Sequence, residues 1–170
     1  MGRFLIMTGE GKGKSTAAFG LALRAFGRGL NPIIFQFIKR QSATFGEHRA
    51  MQALGVPVLA LGDGFTWRSK DLDQTAALAR AGWERAKKAL LSGEHGLVVL
   101  DEFTYVLNFG WVAREEVERA IKGRPEDVHL AITGRDAPDW LIALADTVTE
   151  MRKIKHAYDA GVPATRGIEL

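Results

Sequence analysis

The sequence contains no cysteine. That excludes a disulfide scaffold, a thiol nucleophile and any cysteine-ligated metal or iron–sulfur cluster. Histidine is sparse as well. His48, His95, His129 and His156 stand far apart in the chain and form no metal-binding spacing such as HExxH. No apolar run approaches the roughly 18 residues that read as a membrane span. The opening MGRFLIMTG holds too short an apolar stretch for a secretory signal. Met1-Gly2 matches a myristoylation start only in part, because Ile6 stands where that pattern wants Ser or Thr. An excess of one charge is also missing. Lys and Arg number 23 against 20 Asp and Glu, a net +3, although the pI is near 9.3. There is no basic stripe of the kind that marks a nucleic-acid binder. The expected partners therefore include neither nucleic acid nor a membrane, and the expected compartment is the cytoplasm.

What is present is ordinary for one globular unit. The chain has 170 residues, 46% apolar and 25% charged, which suits a single domain over 1–170 with its own core. Its 19 glycines exceed the usual share of about 7% and point to tight turns or ligand loops. Short apolar runs at 3–8, 32–37, 57–61, 97–101, 128–133 and 147–151 read as strands. Most are continuously apolar, as in a parallel sheet covered on both faces. Between them, helical patterns fall at 14–28, 47–54, 72–91, 114–122 and 138–145. In the longest, Leu72, Ala76, Ala79, Trp83, Ala86 and Leu90 form one apolar stripe, with Asp71 as its start signal. Strand–helix alternation predicts an α/β fold with a mostly parallel, doubly wound sheet and helices on both faces. Segments 39–46 and 62–70, and the tail from 153, read as loops. In such sheets ligands bind beyond the carboxyl ends of the strands.

The first of those ends carries Thr8-Gly9-Glu10-Gly11-Lys12-Gly13-Lys14-Ser15-Thr16. It follows an apolar strand and opens a helix, the context of a phosphate-binding P-loop. Glycines at 9, 11 and 13 let the backbone curl so that its N–H groups face a polyphosphate. Lys14 adds a positive charge, and the Ser15 hydroxyl suits Mg²⁺. The strict pattern GxxxxGK[ST] fails by one position, since Thr8 stands where its first glycine belongs. A second strand ends in Asp101-Glu102. In P-loop proteins such a strand is expected beside the P-loop strand, its terminal acid reaching the phosphate-bound Mg²⁺. Adjacent strand residues face opposite ways, so one of the two acids is expected to point at the metal.

Two further strand ends are candidates. Phe65 and Trp67 lie in a glycine-flanked loop, where they either pack on the protein or face a flat apolar ligand. Arg135, after the fifth strand, either holds phosphate by a forked contact or forms a surface ion pair. His156 reads as structural or solvated, and Trp111 and Trp140 as core or interface residues. The basic cluster 152–155 reads as a solvated face. The residues alone thus describe an Mg²⁺-nucleotide protein with room for a second ligand. A P-loop small-molecule kinase or ATPase fits that description too. So does a RecA-like module that grips nucleic acid, although the balanced charge disfavours it.

Longer stretches narrow this. TGEGKGKSTAAFG at 8–20, QFIK at 36–39, GE at 46–47, GFTW at 64–67 and VVLDEFTYVLNFGW at 98–111 occur in order. TGRDAP at 133–138, ADTVTEM at 145–151 and KHAYDAGVPATRGIEL at 155–170 follow. Together they resemble the P-loop-type corrinoid adenosyltransferases, which act on cob(I)alamin or cob(I)yrinic acid a,c-diamide. The resemblance covers nearly the whole chain. It implies a P-loop NTPase-like, RecA-like fold, and transfer of the 5′-deoxyadenosyl group of ATP to the Co(I) of a reduced corrinoid with release of inorganic triphosphate. It implies Gly9, Glu10, Gly11, Lys12, Gly13, Lys14, Ser15, Thr16 and Arg135 at ATP, and Ser15 and Glu102 at Mg²⁺, with Asp101 a less certain neighbour. It implies Phe65 and Trp67 at the corrinoid, where they exclude the lower axial ligand of cobalt. Lys14, Arg135, Phe65 and Trp67 are then the residues that carry catalysis. A homodimer and an external reductant such as a reduced flavoprotein are implied as well. Two departures stand out. Family members commonly carry a helical arm before the first strand, whereas this sequence starts almost at that strand. Arg40 stands where glycine usually follows QFIK.

Overall fold

A computed structural model describes residues 1–40, 45–62 and 72–168. Six strands form one sheet: β1 (Phe4–Thr8), β2 (Pro32–Arg40), β3 (Val58–Gly62), β4 (Leu97–Asp101), β5 (His129–Thr133) and β6 (Thr147–Glu150). Their order is β3-β2-β4-β5-β1-β6, and every pairing is parallel. The helices are α1 (Lys14–Gly27), α2 (Gly46–Ala53), α3 (Leu72–Ser92), α4 (Phe103–Asn108), α5 (Arg114–Gly123) and α6 (Asp139–Ile142). A 3-10 turn at Ala157–Ala160 follows.

The continuous apolar runs are explained by burial on both sides. Alternate residues of a strand point to opposite faces. Phe4 and Ile6 of β1, Ile33 and Phe35 of β2, Val98 and Leu100 of β4 and Leu130 and Ile132 of β5 pack on one face. There they meet Trp83 and Leu90 of α3 and Val117 and Ile121 of α5. Met7, Ile34, Val99 and Ala131 occupy the other face against Ala18, Phe19 and Ala22 of α1 and Met51 of α2. The expected two-sided α/β architecture is therefore present. β6 is the exception, since its four residues TVTE are exposed at the sheet edge.

Three readings change. β2 runs on through Arg40, so residues 39 and 40 belong to a strand and not to the expected loop. The short helix α4 has no counterpart among the predicted helices; at six residues it is too brief for a 3.6-residue period to show. Most important, β4 does not lie beside the P-loop strand β1. β5 stands between them and pairs with both. The acidic strand end thus reaches the P-loop across the end of β5. The candidates Asp71, Phe65 and Trp67, and most of the predicted 62–70 loop, lie outside the described residues.

Candidate functional site

Thr8 closes β1, and residues 9–13 turn into α1. The turn is braced by the segment after β6. The Gly11 N–H donates to Met151 O at 2.6 Å, and Met151 N–H to Thr8 O at 2.8 Å. A Cβ at Gly11 would sit 2.7 Å from that same Met151 oxygen, so the close approach leaves room only for glycine. The Thr8 hydroxyl accepts from the Ala137 N–H at 3.2 Å. The residue that breaks the strict P-loop pattern thus ties this loop to the one after β5.

Above the carboxyl ends of β1, β2, β4 and β5 lies a cavity of about 540 Å³. Lys12 to Thr16 border it from the P-loop, Glu102 and Tyr105 from the end of β4 and α4, and Thr133 to Arg135 from the end of β5. Phe19, Ile38, Gly46, Glu47, Gly167 and Ile168 complete its wall. Gly9, Glu10 and Gly11 are not part of that wall. Their contribution is to the loop and its charges. The Lys14 ammonium donates to Gly9 O at 2.6 Å and Gly11 O at 2.7 Å. Burial, then the nearby Arg135 charge, lower its pKa from 10.5, against weaker opposing pulls from Glu10, Glu102 and Asp101. Arg135 lies with its Nη1 3.2 Å from Glu10 Oε2. Arg135 forms the surface ion pair that was one of its two sequence readings, and it also borders the cavity.

The loop carrying Arg135 is tightly set. A Cβ at Gly134, φ 144°, would meet the Thr104 hydroxyl oxygen at 1.9 Å. Asn108 Nδ2 donates to Asp136 O at 3.1 Å, so α4 holds the loop at two points. The two acids after β4 separate as strand geometry requires. Asp101 is fully buried and accepts from Gln36 Nε2 at 2.8 Å and from Thr133 Oγ1 at 2.7 Å. Glu102, with φ 60° and ψ 26°, borders the cavity instead.

The donor set suits Mg²⁺. That ion keeps several waters and takes one or two protein oxygens beside substrate phosphates. The Ser15 hydroxyl and the Glu102 carboxylate, both of residues that border the cavity, would supply that pair. Among the described residues no group of three or more His, Asp or Glu side chains could cage a metal by itself. Three cations, Lys12, Lys14 and Arg135, border the same space and suit a polyphosphate.

Tyr105, Thr133, Glu47 and the tail residues Gly167 and Ile168 were not reached as site residues from the sequence. Tyr105 and Thr133 lie next to strand ends, the one available signal. Burial raises the Tyr105 pKa above 10.0, so its phenol stays neutral and able to donate. The tail folds back far enough for Lys12 Nζ to donate to Ile168 O at 3.1 Å. His156 is structural, since its Nδ1 accepts from the Tyr158 N–H at 3.1 Å at the head of the 3-10 turn. Trp111 and Trp140 pack against the core. No helix among the described residues is long and apolar enough to cross a membrane.

A family model described as ATP:corrinoid adenosyltransferase BtuR/CobO/CobP matches residues 1–170. The corrinoid adenosyltransferase of Escherichia coli (strain K12) is 40% identical over 168 residues, covering 99% of this chain and 85% of that protein. Corrinoid adenosyltransferase CobA of Salmonella typhimurium (strain LT2) is 41% identical over 168 residues, with the same coverage of 99% and 85%. The corrinoid adenosyltransferase of Pseudomonas aeruginosa (strain PAO1) is 41% identical over 171 residues, covering 99% and 84%.

Proposed function

The chain belongs to the ATP:corrinoid adenosyltransferase family, and from that premise we propose how its site works. The substrates are ATP and a reduced corrinoid. The Co(I) electron pair forms a bond to the 5′ carbon of ATP, and the C5′–O bond breaks. Its electron pair leaves with inorganic triphosphate. Co(I) is a strong nucleophile and needs no general base. That agrees with a site whose charged residues are suited to phosphate and metal, not to proton abstraction.

The observation that carries this reading is the convergence of Lys14, Ser15, Glu102 and Arg135 on one cavity. The P-loop amides and Lys14 would hold the triphosphate and stabilise the charge that grows on the leaving oxygen. Arg135 would leave Glu10 in part to take a phosphate oxygen by charge-assisted contact. Ser15 and Glu102 would hold Mg²⁺, which when bound neutralises the departing phosphates. Phe65 and Trp67 are assigned to the corrinoid face, excluding the lower axial ligand so that Co(II) is more easily reduced. An external reductant such as a reduced flavoprotein supplies the electron, and the working unit is a homodimer of a single-domain chain.

Anaerobic mixing of protein, MgATP and chemically reduced cobalamin tests the proposal. The corrinoid spectrum and phosphorus NMR are followed together. Adenosylcobalamin and inorganic triphosphate in equal amounts are expected. ADP or phosphate with an unchanged corrinoid would replace the reading with a P-loop kinase or ATPase.

A further inference from the structure

Beneath the cavity a line of polar groups crosses three strands. Gln36 of β2, Asp101 of β4 and Thr133 of β5 are each fully buried. His48 Nε2 of α2 meets Gln36 Oε1. Gln36 Nε2 donates to Asp101 Oδ2 at 2.8 Å. Thr133 Oγ1 donates to Asp101 Oδ1 at 2.7 Å and accepts from the Glu102 N–H at 2.9 Å.

The donor direction is fixed at each link. Asp101 accepts at both of its oxygens, so Gln36 presents its NH₂ to Asp101 and its carbonyl to His48. The histidine must then donate, as both the Nε2–H tautomer and the imidazolium do. Without that donor the buried Gln36 carbonyl oxygen would lose its His48 partner, which weakens the hold on the amide that meets Asp101. With both Asp101 oxygens held, the single proton of Thr133 is committed to Asp101. Its lone pair is left for the Glu102 amide. Glu102 needs that anchor because its backbone is left-handed at φ 60°, a region that non-glycine residues occupy only when held there. His48 itself is held by ring contacts, stacked on Phe19 at 6.4 Å and edge-on to Phe45 at 5.4 Å.

We infer that His48 is a positioning residue for Glu102, acting through Gln36, Asp101 and Thr133 to aim the Glu102 carboxylate into the cavity. The inference rests on the proposed role of Glu102 at the divalent cation. It makes α2, which also supplies the cavity residues Gly46 and Glu47, part of the apparatus that sets the metal ligand.

The test measures Mn²⁺ binding by electron paramagnetic resonance in the presence of inorganic tripolyphosphate, and tripolyphosphate binding without metal by calorimetry. His48→Phe keeps the ring between Phe19 and Phe45 but loses the donor. It is expected to weaken Mn²⁺ binding about tenfold, the loss of one hydrogen bond in a buried chain. Metal-free tripolyphosphate affinity should not change. His48→Gln places a donor near the Nε2 position and should recover binding to within about twofold of the parent. If His48→Phe fails to fold, Thr133→Val breaks the same chain at its other end and should read the same way. Glu102→Gln separates the two hypotheses. Weakened Mn²⁺ binding in Glu102→Gln with none in the folded His48 or Thr133 variant overturns the inference and leaves the metal role standing. Unchanged binding in Glu102→Gln overturns both. Equal losses with and without Mn²⁺ in the His48 or Thr133 variant would make the chain merely structural and also overturn the inference.

Discussion

Arg135 lies 3.2 Å from Glu10 across the mouth of the phosphate loop. Both side chains are about half exposed, so the pair adds little to stability. Its effect is on binding, because the guanidinium that would meet a phosphate is already shared with a carboxylate. Glu10→Gln removes that competitor and a negative charge from the site's edge. Tripolyphosphate affinity should rise about threefold, and Arg135→Ala should lower it about tenfold, magnitudes typical of one screened and one direct charge contact. Calorimetry at fixed ionic strength checks both. Unfolding temperatures should stay within a few degrees of the parent.

A second ion pair joins α3 to α5 and does affect stability. Glu116 Oε1 accepts from Lys87 Nζ at 2.6 Å and from Trp83 Nε1 at 2.7 Å. Hydrogen bonds from Lys87 first, then Trp83, hold the Glu116 carboxyl below 4.5, and those to Glu116 first, then Glu84, hold Lys87 above 10.5. A depressed carboxylate stabilises the fold above its unfolded pKa, and that contribution fades as pH falls through the folded value. A raised lysine acts in the opposite window and fades as pH rises through its folded value, above 10.5. Glu116→Gln should therefore cost about 1 kcal/mol near neutrality. The difference from the parent should shrink in acid below pH 4.5 and again in strong alkali. Denaturant titrations across pH measure it.

The sequence exposed the parts of the fold that depend on runs and periods. Strands buried on both faces betray themselves by unbroken apolar residues, and the stripe through Trp83 and Leu90 fixed the face of α3. The turn from β1 into α1 was legible because strand, glycines and Lys14-Ser15 are contiguous. What stayed hidden was set by pairing across the sheet. Nothing in β4 or β5 alone says that β5 separates β4 from β1. The division of labour between Asp101 and Glu102 depends on Gln36 and Thr133, distant in sequence. Tyr105 sits in a helix too short to announce itself. Ile168 reaches the cavity only because the tail turns back toward Lys12.

Gly134 and Thr104 offer a test of how Arg135 is placed. Among the described residues the buried Thr104 hydroxyl has no hydrogen-bond partner, and it lies where a Gly134 Cβ would go. Gly134→Ala should destabilise by about 2 kcal/mol through crowding, and the φ of 144° adds strain. Thr104→Ala removes both the clashing oxygen and an unsatisfied polar group, so it alone should cost little. In the double variant the Gly134→Ala penalty should fall by about 1 kcal/mol, not to zero, because backbone strain remains. A thermodynamic cycle from chemical denaturation gives the coupling. Additive effects would mean that the loop does not depend on this contact.

Lys14 gives the sharpest functional expectation. Its ammonium donates to the loop carbonyls of Gly9 and Gly11, and burial, then the nearby Arg135 charge, hold its pKa below 10.5. A bound triphosphate brings several negative charges to the same nitrogen and raises that pKa again. Binding must then take up a proton wherever free Lys14 is partly deprotonated. Tripolyphosphate affinity should fall as pH rises through the free-protein pKa, at a pH below 10.5, and calorimetry in two buffers of different ionisation enthalpy should show proton uptake there. Lys14→Ala should lose that uptake, weaken the anion about 100-fold and leave the unfolding transition intact, as the loss of a charge-assisted contact predicts. Lys14→Arg keeps the charge but removes the titration, since guanidinium stays protonated. Its affinity should be flat over the range in which the parent's declines. A parent profile as flat as that of Lys14→Arg would mean that another group carries the phosphate contact.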